Sequence, residues 1–231
     1  MDCAFEICEN SQDTLFFEHL FIIDEQFNGF FRFCKQAAVR PAVFKDFNMP
    51  SALYFNTVEG SEVYFDNCFT HTNHYSQNCL YREGYTPVFC RMIPVELHGQ
   101  TAYAKNLNIE RGDIELLNDN SELVIDGFKT EGPGKMIKAV NGGKTRLNLF
   151  NSAWWGNKLP ENEMFEACDS SMILTGGHVF CYPESKELQM ALRVSVGGEM
   201  YRKSITESGI KLAGKDSLKR DWGILIKNIV I

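Results

Sequence analysis

The chain alternates short apolar or β-branched runs with glycine-centred breaks, most clearly in its second half. Gly142-Gly143 separates Ile137–Val140 from Thr145–Phe150, Gly176-Gly177 separates Met172–Thr175 from His178–Tyr182, and Gly197-Gly198 separates Leu192–Val196 from Glu199–Ile205. A two-residue hairpin of the favoured hand needs positive φ at its centre, which glycine adopts without steric cost. The three doublets predict an antiparallel β meander. Asn118-Asp119-Asn120-Ser121, between Ile114–Leu117 and Glu122–Ile125, predicts a fourth hairpin. In the last hairpin, a two-residue loop sets Val194 opposite Tyr201 and Val196 opposite Glu199. Further strands are expected at Ala52–Val58, Glu62–Phe65, Thr86–Ile93 and Thr101–Asn106. No internal sequence repeat accompanies the turns, so neither a propeller nor a solenoid is expected.

Near the N-terminus the period changes. Phe16, Leu20, Ile23, Phe27, Phe30 and Cys34 recur at helical spacing, with Ser11 or Asp13 placed to cap the start. Gly29 and the Phe-Phe pairs favour a competing reading, in which Phe16–Ile23 and Phe30–Cys34 are buried strands. The helix is the preferred assignment. The expected fold is therefore mainly β: an antiparallel β-sandwich or jelly-roll-like meander with limited α-helix near the N-terminus.

Composition refines the picture in one respect. Fourteen of the 18 phenylalanines lie at or before Phe89 and 15 of the 18 glycines after it, which suggests a Phe-rich part (1–90) and a Gly-punctuated part (91–231). No Pro/Ser/Gly-rich linker marks the change, so a single β-rich domain over 1–231 is favoured. A net charge of −7 argues against non-specific nucleic-acid binding, and Lys211–Arg220 reads as a solvated loop. No uninterrupted apolar run is long enough for a membrane span. The stretch Met1–Glu6 has neither a basic start nor an apolar core with a cleavage site. Eight cysteines without an export signal read as free thiols in a reducing cytoplasm.

Candidate chemistry is sparse. Cys68, His71, His74 and Cys79 are zinc-type ligands within twelve residues, close to Asp66, but their spacing matches no zinc-finger pattern and a polar surface loop is preferred. No nucleophile motif surrounds any Cys/His pair, and strand alternation puts His178 and Cys181 on opposite faces. Gly142-Gly143-Lys144-Thr145 lacks the first glycine of a phosphate loop, since lysine occupies position 138. Gly132-Pro133-Gly134-Lys135 fails the same test, and Arg111-Gly112-Asp113 reads as a turn. Glu161, Glu163 and Glu166 lie close in sequence, but paired-carboxylate chemistry depends on their separation in space.

Two features point to contacts rather than catalysis. Adjacent Trp154 and Trp155 on a strand face opposite ways, so one indole is available to a protein or a sugar. The terminal run with Ile224, Ile226, Ile229 and Ile231 would aggregate as an open edge, so it is expected to pair within its own sheet, or else with a neighbouring subunit. The leading expectation is a non-catalytic structural protein that docks to partner subunits as a homo- or hetero-oligomer, without a cofactor. In texture the chain is similar to small β-rich subunits of viral or bacteriophage particles, a likeness of composition that rests on no motif. A carbohydrate-binding β-sandwich, with Trp154 or Trp155 and Tyr85 or Tyr182 as platforms, is the alternative. A Cys/His or carboxylate hydrolase comes third.

Overall fold

The computed structural model describes residues 5–8, 11–21, 29–33, 38–48, 52–71, 93–110, 112, 114–132, 134–154, 163–181, 190–204, 223–224 and 229–230. Every regular element among them is a strand. Alternate strands fall into two different sheets. The odd sheet holds β1 (Phe5–Ile7), β3 (Gly29–Phe33), β5 (Ala52–Asn56), β7 (Val95–His98), β9 (Ile114–Asp119), β11 (Lys135–Val140), β13 (Phe165–Cys168), β15 (Met190–Val196) and β16 (Glu199–Ser204). The even sheet holds β2 (Leu15–Glu18), β4 (Ala42–Asn48), β6 (Glu62–His71), β8 (Thr101–Glu110), β10 (Glu122–Glu131), β12 (Lys144–Trp154) and β14 (Ser171–Cys181). Short β17 (Gly223–Ile224) and β18 (Ile229–Val230) both pair with β14.

Successive strands of each sheet run parallel from β1 to β15 and from β2 to β14, so the chain winds as a two-sheet β-solenoid. Register gives the length of a coil. Glu122 lies beside Thr101, 21 positions earlier, and beside Lys144, 22 positions later. Ala42 lies beside Val63, again 21 positions on. The intervals lengthen to 27 between Lys144 and Ser171 and to 39 between Glu62 and Thr101. The extra length enters at one corner. From β4 onward, passage from the even to the odd sheet takes between 3 and 23 residues, whereas from β5 the return takes only 2 to 5.

These findings correct the antiparallel sandwich or jelly-roll, and the exclusion of a solenoid. Alternating strands look alike in both architectures, because period 2 reports burial of one face and not the direction of the neighbour. Positive φ serves a solenoid corner as well as a hairpin. Gly142 (φ +89) and Gly143 turn the chain from β11 to β12 in the other sheet, and Asn120 (φ +50) does the same between β9 and β10. Gly176 and Gly177 lie inside β14. Only Gly197-Gly198 forms a hairpin, with Val194 opposite Tyr201 and Val196 opposite Glu199 as its loop length requires. The N-terminal helix is also corrected: among the described residues this stretch forms β2 and β3, shorter than the competing strands Phe16–Ile23 and Phe30–Cys34, and Phe16 is exposed rather than buried. Of the stripe, Phe16 lies in β2 and Phe30 in β3, strands of different sheets, while Leu20 follows β2 and Ile23, Phe27 and Cys34 lie outside the described residues; aromatic residues suit a half-buried pleated surface.

The core lies between the sheets in stacked rows. Phe44, Phe65, Ala104, Ile125, Leu147 and Leu174 occupy one register position and are buried. Phe47, Cys68, Leu107, Phe128 and Phe150 occupy another, which ends at Gly177. A Cβ on Gly177 would stand 2.0 Å from Phe150 Cζ, so this glycine makes room for the ring. One buried cluster runs from Ala42 to Leu174, across the compositional change near residue 90. Buried polar side chains also link one coil to the next. Buried Asn118 donates to Lys144 O (3.0 Å) and Thr145 Oγ1 (2.8 Å) and accepts from Ser121 N–H (3.1 Å), tying one corner to the next coil.

Candidate functional site

Each strand of the even sheet bends at the same place. His19, Asp46, Asn67, Asn106, Gly127, Leu149 and Gly176 all have φ between +46° and +84°, and the flanking registers align them in one column. Asn, Asp and Gly tolerate this backbone region, whereas Leu149 bears steric strain in it. Rungs bond across the sheet: Asn67 Nδ2 donates to Asp46 Oδ1 (2.8 Å), and Asn148 Nδ2 to Asp126 Oδ1 (2.6 Å). A shallow groove of about 400 Å³ follows the bend, with Asn106, Asn108, Lys129, Leu149 and Asn151 on its walls.

Three residues before the bend, the outward position is occupied by Phe16, Val43, Tyr64, Tyr103, Val124, Arg146 and Ile173 in successive strands. This row is apolar or aromatic in all but one strand and faces solvent: Phe16 is 63% exposed, Tyr103 42% and Ile173 41%. Tyr64 and Tyr103 stack with centroids 5.2 Å apart, and Tyr64 Oη donates to Glu62 Oε2 (2.7 Å), which raises its pKa. Charges elsewhere on this face pair both in the open, as Lys144 does with Glu122 (2.6 Å), and under cover, where Lys129 contacts buried Glu110 and reaches Glu131 (2.6 Å).

The odd sheet carries its charges differently. Glu96, Glu163 and Glu166 are buried. Lys135 reaches Glu163 (3.7 Å) and contacts Glu166, and Lys138 is 3.6 Å from Glu166. Burial pushes the Lys135 ammonium down to about 8, outweighing the opposing pull of the Glu163 charge. His98 sits between Glu96 (3.3 Å) and Asp119 (3.0 Å), with Phe55 edge-on to its ring. The hydrogen bond with Glu96 raises the imidazole pKa, burial opposes it, and Asp119 adds to the rise.

The residues singled out from sequence do not converge. Cys68 lies in the core, where its thiol donates to Phe44 O (3.2 Å) and burial pushes its pKa up to about 12. Such a thiol is a poor source of the thiolate that zinc requires. His71 closes β6, whereas His74 and Cys79 lie outside the described residues. Among the described residues no three His, Cys, Asp or Glu side chains gather as a metal site. Trp154 ends β12 opposite Cys181, and Trp155 is outside the described residues. Ile224 pairs with His178, and Ile229 with Leu174, both antiparallel to β14 of the same chain; Ile226 and Ile231 are outside the described residues. Tyr85, Tyr182 and Glu161 are also outside, while Glu163 and Glu166 meet around Lys135. Against the expectation of free thiols throughout, Cys8 is disulfide-bonded; Cys68 and Cys168 are free.

Sequence reasoning missed the outward row, His98 and Lys135. The signal was a 21–22-residue offset at which Tyr103, Val124 and Arg146 are equivalent. No helix among the described residues is long and apolar enough to cross a membrane.

Comparison with protein-family models, curated proteins and solved structures returns no match.

Proposed function

We propose that this chain is a non-catalytic assembly protein that docks to partner subunits through exposed aromatic residues and strand edges, as a component of a larger particle. The observation that carries the reading is the outward row running from Phe16 through Tyr64 and Tyr103 to Ile173. Its members stand one strand apart, about 4.8 Å, along one sheet. An apolar stripe broken only at Arg146 is characteristic of an interaction surface. Aromatic residues at its centre are the usual anchors of such contacts.

The experiment compares the wild-type chain with a Tyr64→Ser/Tyr103→Ser variant by sedimentation velocity and by affinity capture from the native source. Both rings lie on the outer face, so the variant keeps the core. The expected result is an oligomer or a stoichiometric partner that the variant loses. A monodisperse wild-type monomer that captures nothing at high concentration overturns the reading.

A glycan partner is the second reading, favoured by the stacked Tyr64–Tyr103 pair beside a groove walled by Asn106, Asn108 and Asn151. Amide side chains and flat rings suit sugar hydroxyls and sugar faces. Silence on a glycan array removes it without touching the first.

A further inference from the structure

A row of alternating charge runs beside the outward row of rings. One residue before the bend, Lys45, Asp66, Lys105 and Asp126 stand in register on β4, β6, β8 and β10, so the sign changes from each strand to the next. Lys45, Lys105 and Asp126 are exposed. Unlike Lys144 and Glu122, the side chains of Lys45, Asp66 and Lys105 make no ion pair among the described residues. These charges are left to meet an outside partner.

The outward row, two residues earlier on the same four strands, reads Val43, Tyr64, Tyr103, Val124. Reversing the strand order leaves that row unchanged, whereas it inverts every sign in the charged row. Both rows share one midpoint, between β6 and β8. A surface with this property is complementary to itself under a two-fold rotation.

We infer that the even sheet packs face to face on the even sheet of a second copy of this chain, about a two-fold axis parallel to the strands and midway between β6 and β8. Each row then lies on its own copy with the strand order reversed. Tyr64 faces the partner's Tyr103, and Val43 the partner's Val124. Lys45 meets the partner's Asp126, and Asp66 the partner's Lys105. One strand further out, Phe16 faces the partner's Arg146, a guanidinium on a ring, and Glu18 faces the partner's Asn148. Aligned sheets pack about 10 Å apart, within reach of rings and long charged side chains. A slip by one strand would set Lys45 on the partner's Lys105, so the charges fix the register that the rings leave open. The inference rests on the assembly reading above and names a second copy as the partner.

The test uses the full chain, with sedimentation velocity over a concentration series. The wild type is expected to dimerise. Lys45→Asp and Asp126→Lys each set like charges together twice in a homodimer, and each weakens it at least about tenfold. An equimolar mixture of the two variants restores every opposite pair and regains the dimer. Lys105→Asp and Asp66→Lys repeat the exchange on the inner pair if either outer variant fails to fold. A dimer that survives both substitutions, or a mixture that stays monomeric, overturns this inference and leaves the assembly reading standing. A wild-type monomer that captures another partner through Tyr64 and Tyr103 does the same. A monomer without any partner overturns both.

Discussion

The two sheets wrap one core yet bury charge to different extents: the even sheet covers Glu110 beside Lys129, the odd sheet Glu96, Glu115 and Glu166. On the even sheet, Lys144 and Glu122 pair with their side chains 66% and 62% exposed; on the odd sheet, Lys135 pairs with Glu163 and Glu166 at 13%, 3% and 6%. The even face spends its outward positions on a solvent-exposed row of rings and aliphatics, whereas the odd face sequesters carboxylates with their cations. Parallel strands around one core thus support two surfaces with different physics. One is a surface on which an open pair such as Lys144–Glu122 is nearly free of energetic consequence. The other is an electrostatic layer whose members depend on one another.

The sharpest way to break this comparison is to remove one lysine from each face. Lys135→Met withdraws the cation from two buried carboxylates and is expected to cost about 3 kcal/mol in denaturant unfolding. Lys144→Met is expected to cost less than about 0.5 kcal/mol. Equal losses would erase the distinction.

Gly177→Ala tests the row where the even sheet narrows. The added methyl meets the Phe150 ring, and the expected loss is about 1–3 kcal/mol by chemical denaturation. Leu149→Asn tests the bend itself. Leu149 is 69% exposed at φ +58°, where its immediate neighbours in the column are Gly127 and Gly176. Asparagine is expected to raise stability by about 1 kcal/mol. A loss there would mean that the leucine packs on something important.

The smallest expected effect is a pH drift on the odd face. Because its folded pKa is raised, His98 holds a proton in the folded chain at pH values where the unfolded chain has released it. Its contribution is fully present below the unfolded value near 6.5 and is lost as pH rises through the folded value. Thermal melts of wild type and His98→Gln should therefore lie further apart at pH 5.5 than at pH 8.5. A gap that widens with pH would contradict the sign.

Much of the strand content was legible because β-branched and aromatic alternation marks a half-buried surface directly. Ile114–Leu117 and Glu122–Ile125 became β9 and β10, and the Gly197-Gly198 register was readable from loop length alone. Direction was not legible. Asn118–Ser121 and Gly142-Gly143 carry the left-handed residues of a reversal, and a corner between sheets requires the same conformation. The repeat escaped notice because insertions of unequal length break its phase, and because equivalent positions share burial rather than identity: Phe65, Ala104, Ile125 and Leu147 are one row. The electrostatic layer was only glimpsed, through Glu163 and Glu166, since Lys135 lies a whole coil away in sequence and next door in space.

The unequal corners have a practical corollary. Most of the variation in coil length from β4 onward enters on the path from the even to the odd sheet, while the tight return path carries the Asn118 and Ser121 ties. Foreign sequence spliced between β10 and β11 would hang outside the winding and leave its pitch undisturbed. The same graft between β9 and β10 would unstitch neighbouring turns, so this molecule is editable along one seam and sealed along the other.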